Sequence, residues 1–471
     1  MNANDDLTLP QNGLPTSYGQ RALWLLYRMV PEEAGYNVNY TWKIEGSIDV
    51  NILQKAIHHL SNHHPLLRVF YQELDGVPVQ RVHQSPKTQF DQLDLQPENL
   101  SSAIEAFVKQ EPYKPFRLES ETSLRWTLLT CNDVPAFLSL TTHHITSDLW
   151  SHMITMRDLR TIYHALVTGT EPVLQTTEKQ YFDFVTCQKD YSTHEKGLAD
   201  LKYWKETLSD YPRQIEFPVD HHTTASSKRF HGDHIELRID KALTDKIASL
   251  VKSYRITPYI FYFAVFQLLI NKYTGEDKFL VGTPSGGRTQ KDYGDIVGYF
   301  VNLFLINADL SGDPSFPELV KGVRSVIKES RKHQNYPFPL LVDHLKLNRA
   351  ASKNSFPQFV FSWESPNSFT DRKDPMISYG DDEKECWNMK EFQLQLINKT
   401  IVDDVDLSLR IIEVNNYLRL FLAFNPELFE LQTIERVGRH FLKLLSDIAD
   451  DPDRPVSDLS LHLEEVLQIL E

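Results

Sequence analysis

The amino-acid sequence predicts an α/β protein built from two related lobes. Segments with the two-residue alternation of strands and segments with the apolar spacing of helices follow one another through both halves of the chain. The 471 residues suffice for two or three domains, and 41% hydrophobic residues supply a large core. Residues 169–180 are polar and lack apolar periodicity. We therefore predict the interdomain connection there, with lobes at residues 1–174 and 175–471.

In the first half, the predicted elements begin with a strand. Asp49 is placed to cap the helix that follows it, Gly76 marks a turn, and Ser101 or Ser102 can cap a later helix. The predicted strands are VNYTWKIEG (38–46), LLRVFYQEL (66–74), VPVQRVH (77–83), LRWTLLTC (124–131) and AFLSLTTHH (136–144). The predicted helices are residues 51–64, 103–110 and 151–167.

The second half continues the alternation with longer elements. Residues 258–273, PYIFYFAVFQLLINKY, are apolar on nearly all faces, which indicates a buried helix. The other predicted helices are residues 241–254, 316–333 and 431–449. The predicted strands are HGDHIELRI (231–239), KFLVGTP (278–284), FVNLFLINADL (300–310), QFVFSWE (358–364), VDLSLRIIEV (405–414) and YLRLFLAF (417–424).

Charge and cysteine content exclude several classes of protein. Lys and Arg total 49 against 64 Asp and Glu, a net charge of −15, which disfavours nucleic-acid binding because that needs concentrated positive charge. Cys131, Cys187 and Cys386 are too dispersed for a structural zinc site and favour a reducing compartment. The sequence shows no signal peptide and no apolar stretch of about 20 residues. We expect a cytoplasmic protein without a metal, a nucleic-acid partner or a membrane span.

The strongest candidate for a functional site is the segment that follows the strand ending near residue 144. It contains adjacent histidines, His143 and His144, and then Asp148 at the start of the next helix. Successive residues of a strand point to opposite faces. One histidine should therefore face a cavity while the other packs inward, and the two cannot readily bind one metal ion.

Several segments resemble, in order, the core motifs of the condensation domains of nonribosomal peptide synthetases. HHITSDLWS (143–151) resembles the HHxxxD active-site motif of that family. The others are SYGQRALWLL (17–26), similar to the opening Ser-x-x-Gln-x-x-x-Trp helix, HHPLLRVFY (63–71), similar to RHExLRTxF, YFDFVTCQ (181–188), similar to YxDYAxWQ, VGYFVNLFLI (297–306), similar to IGxFVNT, and HQNYPFPLLV (333–342), similar to HQDxPFExLV.

The resemblance implies a fold and a reaction. The fold is a V-shaped pair of chloramphenicol-acetyltransferase-like lobes with a central tunnel. The reaction is attack by the α-amine of an aminoacyl carrier protein on an acyl thioester. His144 is implied as the base or orienting acceptor, with His143 supporting the loop. The domain itself is expected to bind no cofactor, since its substrates arrive as phosphopantetheine or CoA thioesters. The implied partners are a downstream aminoacyl carrier and an acyl-CoA or acyl carrier donor, and we expect a monomer.

The same resemblance suggests roles for other residues. Asp148 either orients the imidazole or forms a buried ion pair with Arg68, and we favour the ion pair. Asn302 either lines the tunnel or satisfies local backbone groups at a strand end. Trp150 and Ser151 are assigned to the tunnel. The PSGGR segment (284–288) lacks the Lys-Ser/Thr of a phosphate-binding loop and predicts a tight turn.

The active-site motif departs from the family pattern at one position. Leu149 follows Asp148 where glycine is usual, and the Asp-x-Trp-Ser form resembles domains that take a fatty or polyketide acyl donor. The chain also begins at Met1, as expected of a starter domain that acylates the first aminoacyl group of a lipopeptide. The alternatives are a condensation domain served by a separate upstream polyketide or peptidyl carrier, a free-standing acyl-CoA acyltransferase, and a recruitment domain without catalysis.

Overall fold

The structure is a computed structural model, and it describes residues 13–32, 34–85, 88–221, 232–346, 356–365, 376–379, 385–401, 405–414 and 417–461. Its helices are α1 (Tyr18–Met29), α2 (Val50–His63), α3 (Leu100–Gln110), α4 (Leu149–Thr168), α5 (Tyr181–Thr193), α6 (Glu195–Leu208), α7 (Lys241–Ser253), α8 (Pro258–Thr274), α9 (Phe316–Ser330), α10 (Phe338–His344) and α11 (Leu431–Asp450).

The strands of the first half are β1 (Leu14–Pro15), β2 (Asn37–Glu45), β3 (Val69–Leu74), β4 (Val77–Val82), β5 (Gln89–Leu95), β6 (Leu124–Cys131) and β7 (Val134–His143). Those of the second half are β8 (Asp233–Ile239), β9 (Lys278–Ser285), β10 (Asn302–Asp309), β11 (Phe359–Glu364), β12 (Ile377–Tyr379), β13 (Glu385–Asn388), β14 (Gln393–Ile401), β15 (Leu407–Val414) and β16 (Tyr417–Phe424).

The first compact unit contains the described residues up to Thr193 and two segments from later in the chain, Gly286–Val301 and the strands β12 to β14. Its main sheet has the order β12-β13-β14-β2-β7-β6-β5, and a small sheet has the order β1-β4-β3. Only β5 and β6 pair in parallel within the main sheet as described. Helices α2 and α4 pack together with apolar side chains of this sheet into one core cluster.

Helix α4 directly follows the histidine loop and has well-defined ends. Asp148 is its N-cap and accepts a hydrogen bond from the backbone N–H of Ser151. Gly169 ends the helix at a φ of +69°, a left-handed conformation that glycine adopts without strain. Because strand β7 ends at His143 and α4 begins at Leu149, the loop between them is held by regular structure on both sides.

The second compact unit holds helices α6 to α11 around a six-stranded sheet of order β10-β9-β11-β15-β16-β8. Strand β11 runs parallel to β9 and β15, and the other pairs are antiparallel. Helix α8 is buried from Ile260 to Ile270 without interruption, as its apolar sequence predicted. It begins after the cap Thr257 and ends at Gly275, whose φ is +72°.

The α/β class with two lobes is confirmed, but the boundary between them differs from the predicted one at residue 174. The first unit continues through α5 to Thr193, and β14 pairs with β2 although the two lie far apart in sequence. Such a return of the chain leaves no local signature in a sequence. Of the predicted helix caps, Asp49 is correct, whereas α3 starts at Leu100 before either serine. The predicted strand at residues 231–239 is described from residue 232 onward. Among the described helices, none is long and apolar enough to cross a membrane.

Candidate functional site

The loop after β7 brings the two adjacent histidines into different surroundings. The backbone N–H of His143 donates to the carbonyl of Ser123, and that of His144 donates to the carbonyl of Tyr36. These bonds fix the backbone of the two residues before the chain turns toward α4. His143 is 4% exposed, whereas His144 is only partly buried.

His143 is a structural support for the loop. Its Nδ1 accepts a hydrogen bond from the backbone N–H of Ile145 at 3.1 Å, so the neutral ring carries its proton on Nε2. Burial lowers the pKa of His143 to about 3, and the neighbouring His144 adds to that effect while a backbone hydrogen bond to Gly35 opposes it. The ring therefore stays neutral at physiological pH and holds the turn closed.

His144 has the arrangement of a proton acceptor. Its Nδ1 lies 2.6 Å from the carbonyl oxygen of Ser147. Because a carbonyl can only accept, Nδ1 must carry the proton, and the lone pair of the neutral ring is on Nε2. In the part of the chain that the structure describes, Nε2 has no hydrogen-bond partner. The ring of Tyr299 lies edge-on beside the imidazole, with 5.5 Å between centroids and 63° between planes.

Asp148 forms a buried ion pair with Arg288. Arg288 Nη1 donates to Oδ2 at 2.7 Å and Nη2 donates to Oδ1 at 3.1 Å. The carboxylate also accepts from the backbone N–H groups of Ser151 and Phe300. Burial alone would raise the pKa of Asp148, but the charge and hydrogen bonds of Arg288 outweigh burial and hold that pKa below its usual value. Asp148 is therefore an ionised structural anchor.

Both predicted roles of Asp148 need correction. The imidazole of His144 is oriented by the Ser147 carbonyl, since no hydrogen bond joins it to Asp148 among the described residues. The predicted partner Arg68 instead donates from Nη1 to the carbonyl oxygens of His83 and Gln84. The guanidinium that pairs with Asp148 comes from a position 140 residues away in sequence.

Arg288 is the site residue that the sequence analysis missed. It ends the PSGGR segment, whose first two residues are the end of strand β9. Gly287 in this segment has a φ of +67°, and a Cβ there would lie 1.8 Å from the carbonyl oxygen of Phe300, so only glycine fits at this position. The available signal in the sequence was an arginine directly after two glycines and shortly before the VGYFVN motif. Its guanidinium also lies 4.2 Å from the ring centroid of Phe300.

Ser151 and Trp150 both bind the segment of residues 286–301. This corrects the prediction that Ser151 lines the tunnel. Its fully buried hydroxyl accepts from the Gly298 N–H at 2.9 Å, donates to the Gly298 carbonyl at 2.8 Å and accepts from Arg288 at 2.9 Å. No capacity is left for a substrate. Trp150 is partly buried, and its Nε1 donates to the carbonyl of Gly294 at 2.7 Å.

Asn302 lies in the second unit and is committed to local backbone. Its Nδ2 donates to the carbonyls of Gln334 and Tyr336, both at 2.8 Å, and its Oδ1 accepts from the N–H of Phe338. Of the two roles that the sequence analysis considered for Asn302, these hydrogen bonds correspond to the satisfaction of local backbone groups at a strand end. The amide joins the start of β10 to the chain that leads into α10.

One group of side chains in the first unit has the composition of a metal site. Ligand atoms of His63, His64 and Asp158 lie within 4.8 Å of one another. However, His64 Nε2 and Arg157 Nε each bind an oxygen of Asp158, at 2.9 and 2.8 Å. The guanidinium places a positive charge beside any cation bound there, so the arrangement fits an ion-pair network better than a metal centre.

Comparison with known proteins identifies the family. The family model described as "Condensation domain" matches residues 11–470. A component of the linear gramicidin synthase of Brevibacillus parabrevis is 31% identical over 451 residues, which are 95% of this chain but 6% of that much longer protein. The X-domain in its complex with OxyB from teicoplanin biosynthesis has a TM-score of 0.84 at 21% identity, with 98% of each chain covered.

A second solved structure shares the fold at lower identity. The starter condensation domain of rhizomide synthetase RzmA, in complex with C8-CoA, has a TM-score of 0.78 at 18% identity, with 95% of this chain and 97% of that chain covered. The family match extends over nearly the whole length and includes the histidine loop, the Asp148 anchor and residues 297–306. The chain belongs to the condensation-domain family.

Proposed function

We propose that the chain is an acyltransferase that forms an amide bond between an acyl thioester and the α-amine of an aminoacyl group on a carrier protein. The observation that carries the proposal is the state of His144. Its Nδ1–H is bound by the Ser147 carbonyl, and its Nε2 lone pair is unused by the described residues. Membership of the condensation-domain family supports the reaction type.

The chemistry requires little more than this arrangement. An α-amine has a pKa near 8, so a substantial fraction is free base at neutral pH. Its nitrogen attacks the thioester carbon, a C–N bond forms, the C–S bond breaks, and one proton passes from nitrogen to the leaving thiolate. His144 Nε2 accepts a hydrogen bond or the proton from that nitrogen and orients it. Such assistance contributes typically 10²–10⁴-fold to the rate.

We further propose a fatty acyl donor, which would make this a starter domain in lipopeptide synthesis. The supporting feature is Leu149, which follows Asp148 as the first residue of α4 and is partly buried. The likeness to a starter domain in complex with C8-CoA is consistent with the same donor class. A polyketide or peptidyl donor on a separate upstream carrier is the alternative. In either case the substrates are CoA or phosphopantetheine thioesters, and the domain itself holds no cofactor.

The test is acyl transfer in a defined mixture. An aminoacyl carrier protein is incubated with the chain and either acyl-CoAs, acyl carrier proteins or aminoacyl thioesters, and the acceptor carrier is analysed by mass spectrometry. We expect an N-acylated aminoacyl group on the carrier, absent with His144→Ala. Acylation of a free amine but never of the carrier-bound one would favour a free-standing acyltransferase. No transfer with any donor would favour a recruitment domain.

The proposal also covers partners and location. The partners are the downstream aminoacyl carrier and the donor thioester, and the isolated chain acts as a monomer in the cytoplasm. The wide spacing of Cys131, Cys187 and Cys386 in the sequence supports a reducing compartment.

A further inference from the structure

The ring of Tyr299 is the closest aromatic neighbour described for His144, and no motif assigns it a role. The two rings meet edge to face at 5.5 Å between centroids, a geometry that aromatic pairs prefer. We propose that Tyr299 is a positioning residue that fixes the imidazole of His144 in its working orientation, and that Gly19 is glycine in order to admit the Tyr299 ring. This inference rests on the proposed function of His144.

The imidazole needs a second constraint. The hydrogen bond from Nδ1 to the Ser147 carbonyl fixes one edge of the ring but leaves it free to rock about that bond, because terminal torsions of histidine are broad. A ring packed against the side of the imidazole removes this freedom. Reaction geometry is sensitive at this scale, since a misplacement of about 1 Å can lower a rate about a hundredfold.

Tyr299 can supply the constraint because its own backbone is held on every side. The preceding residue, Gly298, exchanges two hydrogen bonds with the Ser151 hydroxyl. The following residue, Phe300, donates its N–H to Asp148 at 3.1 Å. The carbonyl of Tyr299 accepts from the Tyr181 hydroxyl at 2.7 Å. Asp148 and Ser151 therefore influence His144 indirectly, because they hold the backbone on both sides of Tyr299.

Gly19 lies under the Tyr299 ring in the first turn of α1. A Cβ added to Gly19 would lie 2.6 Å from Cε1 and 3.0 Å from Cδ1 of Tyr299, closer than van der Waals contact allows. Its position inside a helix gives no conformational reason for glycine, and alanine would favour the helix by up to about 1 kcal/mol. Space for the ring is therefore the physical reason for glycine at this position.

The same turn also holds the loop that carries His144. Gln20 Nε2 donates to the carbonyl of Ile145 at 2.9 Å, and Gln20 is fully buried. One helical turn thus contacts the loop through Gln20 and the Tyr299 ring through Gly19. The relative position of imidazole and phenol ring is set by adjacent residues of one rigid element.

The experiment compares Tyr299→Ala, Tyr299→Phe, Gly19→Ala and the Gly19→Ala/Tyr299→Ala double variant in the full chain. Acyl transfer gives kcat and KM, and ¹⁵N NMR of the histidine side chains gives the tautomer and exchange of His144. Gly438→Ala is the matched control: it is also a helical glycine, and its added Cβ would lie 2.4 Å from Leu237 Cδ1, but it belongs to the second unit.

We expect Tyr299→Ala to lower kcat by about 10- to 100-fold with little change in KM, and to broaden or shift the His144 resonances away from a single Nδ1–H tautomer. Tyr299→Phe keeps the ring and should retain most of the activity. Gly19→Ala should resemble Tyr299→Ala, and in the Tyr299→Ala background it should have no further effect. Gly438→Ala should leave kcat and the His144 resonances unchanged.

Two results would overturn the inference. One is a Tyr299→Ala protein with unaltered His144 resonances and kcat, and the other is independent, multiplicative effects of Gly19→Ala and Tyr299→Ala. Failure of the proposed function is distinguishable from both. A wild-type protein with no acyl transfer would contradict the function, while the NMR comparison would still decide whether Tyr299 orients the imidazole.

Discussion

Arg288 places two guanidinium nitrogens on the two carboxylate oxygens of Asp148, at 2.7 and 3.1 Å, with side-chain exposures of 7% and 1%. Because both side chains are buried in a low-dielectric environment, each charge is stabilised mainly by the other and not by water. It ties the start of α4 to residues 286–301, and thereby joins the histidine loop to a segment distant in sequence.

We expect Asp148→Ala to impair folding more than chemistry. Removing one partner strands the other charge and typically costs about 3–5 kcal/mol, a large part of the roughly 5–15 kcal/mol that stabilises a domain. Urea unfolding of Asp148→Ala, Arg288→Ala and the double variant measures the coupling. The double variant should lose less stability than the two single variants added together.

Arg68→Ala is the control for this cycle, since it removes the arginine that the sequence analysis paired with Asp148. Its hydrogen bonds go to the carbonyls of His83 and Gln84, so its effect should add to that of Asp148→Ala. Coupling of Asp148 to Arg68 but not to Arg288 would contradict the structural assignment.

The two adjacent histidines should respond differently to substitution. His144→Ala should abolish acyl transfer with little loss of stability, because its imidazole is only partly buried and supports no packed core. His143→Ala should destabilise the fold, since it leaves the Ile145 N–H without its acceptor, a loss of about 1–3 kcal/mol. Turnover and thermal unfolding of both variants measure the contrast.

Retention of more than about a tenth of wild-type turnover by His144→Ala would exclude a major role in proton transfer or orientation, given the usual size of such effects. A large loss of stability in the same variant would mean that the inward and outward faces are exchanged.

The contrast between the histidines was predictable from the sequence, but the residues that support them were not. Alternation along a strand places His143 and His144 on opposite faces, and the family motif points to His144. Arg288, in contrast, is 140 residues from its partner Asp148, and only the folded chain shows which of several arginines reaches the carboxylate. A sequence pattern predicts the arrangement of residues that are neighbours along the chain. It does not predict which distant residues form pairs when the chain folds.

The same limit explains what was missed in the fold. Strands β6 and β7 were found because alternation and apolar content are local properties. That β14 joins β2 in the first sheet depends on the return of a distant segment. The predicted lobe boundary at residue 174 assumed that each lobe is continuous in sequence, and it failed for the segment Gly286–Val301 and for β12 to β14.

Stability should fall as the pH falls below about 6.5. Burial lowers the pKa of His152 to about 3, with His144 contributing and Asp148 opposing, and the pKa of His143 is also about 3. In the unfolded chain these two histidines bind protons near pH 6.5, whereas in the folded chain they bind them only near pH 3. The stabilisation is complete above pH 6.5 and is lost across this window, with a slope approaching about 1.4 kcal/mol per pH unit for each histidine.

Urea unfolding between pH 7.5 and 5.0 measures this slope above the range in which Asp148 titrates. His152→Gln should reduce the slope, because it removes one of the two buried histidines that stay neutral in the folded chain. A slope that is unchanged in His152→Gln would show that its imidazole is not buried in the neutral form.

The donor acyl group should show a chain-length optimum if the proposed starter function is correct. An apolar pocket for the chain gains roughly 0.8 kcal/mol per buried CH₂, so each added methylene should raise kcat/KM up to about fourfold until the pocket is full. Beyond that length kcat/KM should fall, because packed walls tolerate excess volume poorly. The measurement is a competition among acyl-CoAs of increasing length and an aminoacyl thioester, with products detected on the acceptor carrier. Leu149→Gly, which restores the residue usual at that position, is the informative variant and should shift the optimum if Leu149 shapes the donor site. A preference for the aminoacyl thioester, or rates independent of chain length, would refute the fatty acyl donor while leaving amide-bond formation by His144 intact.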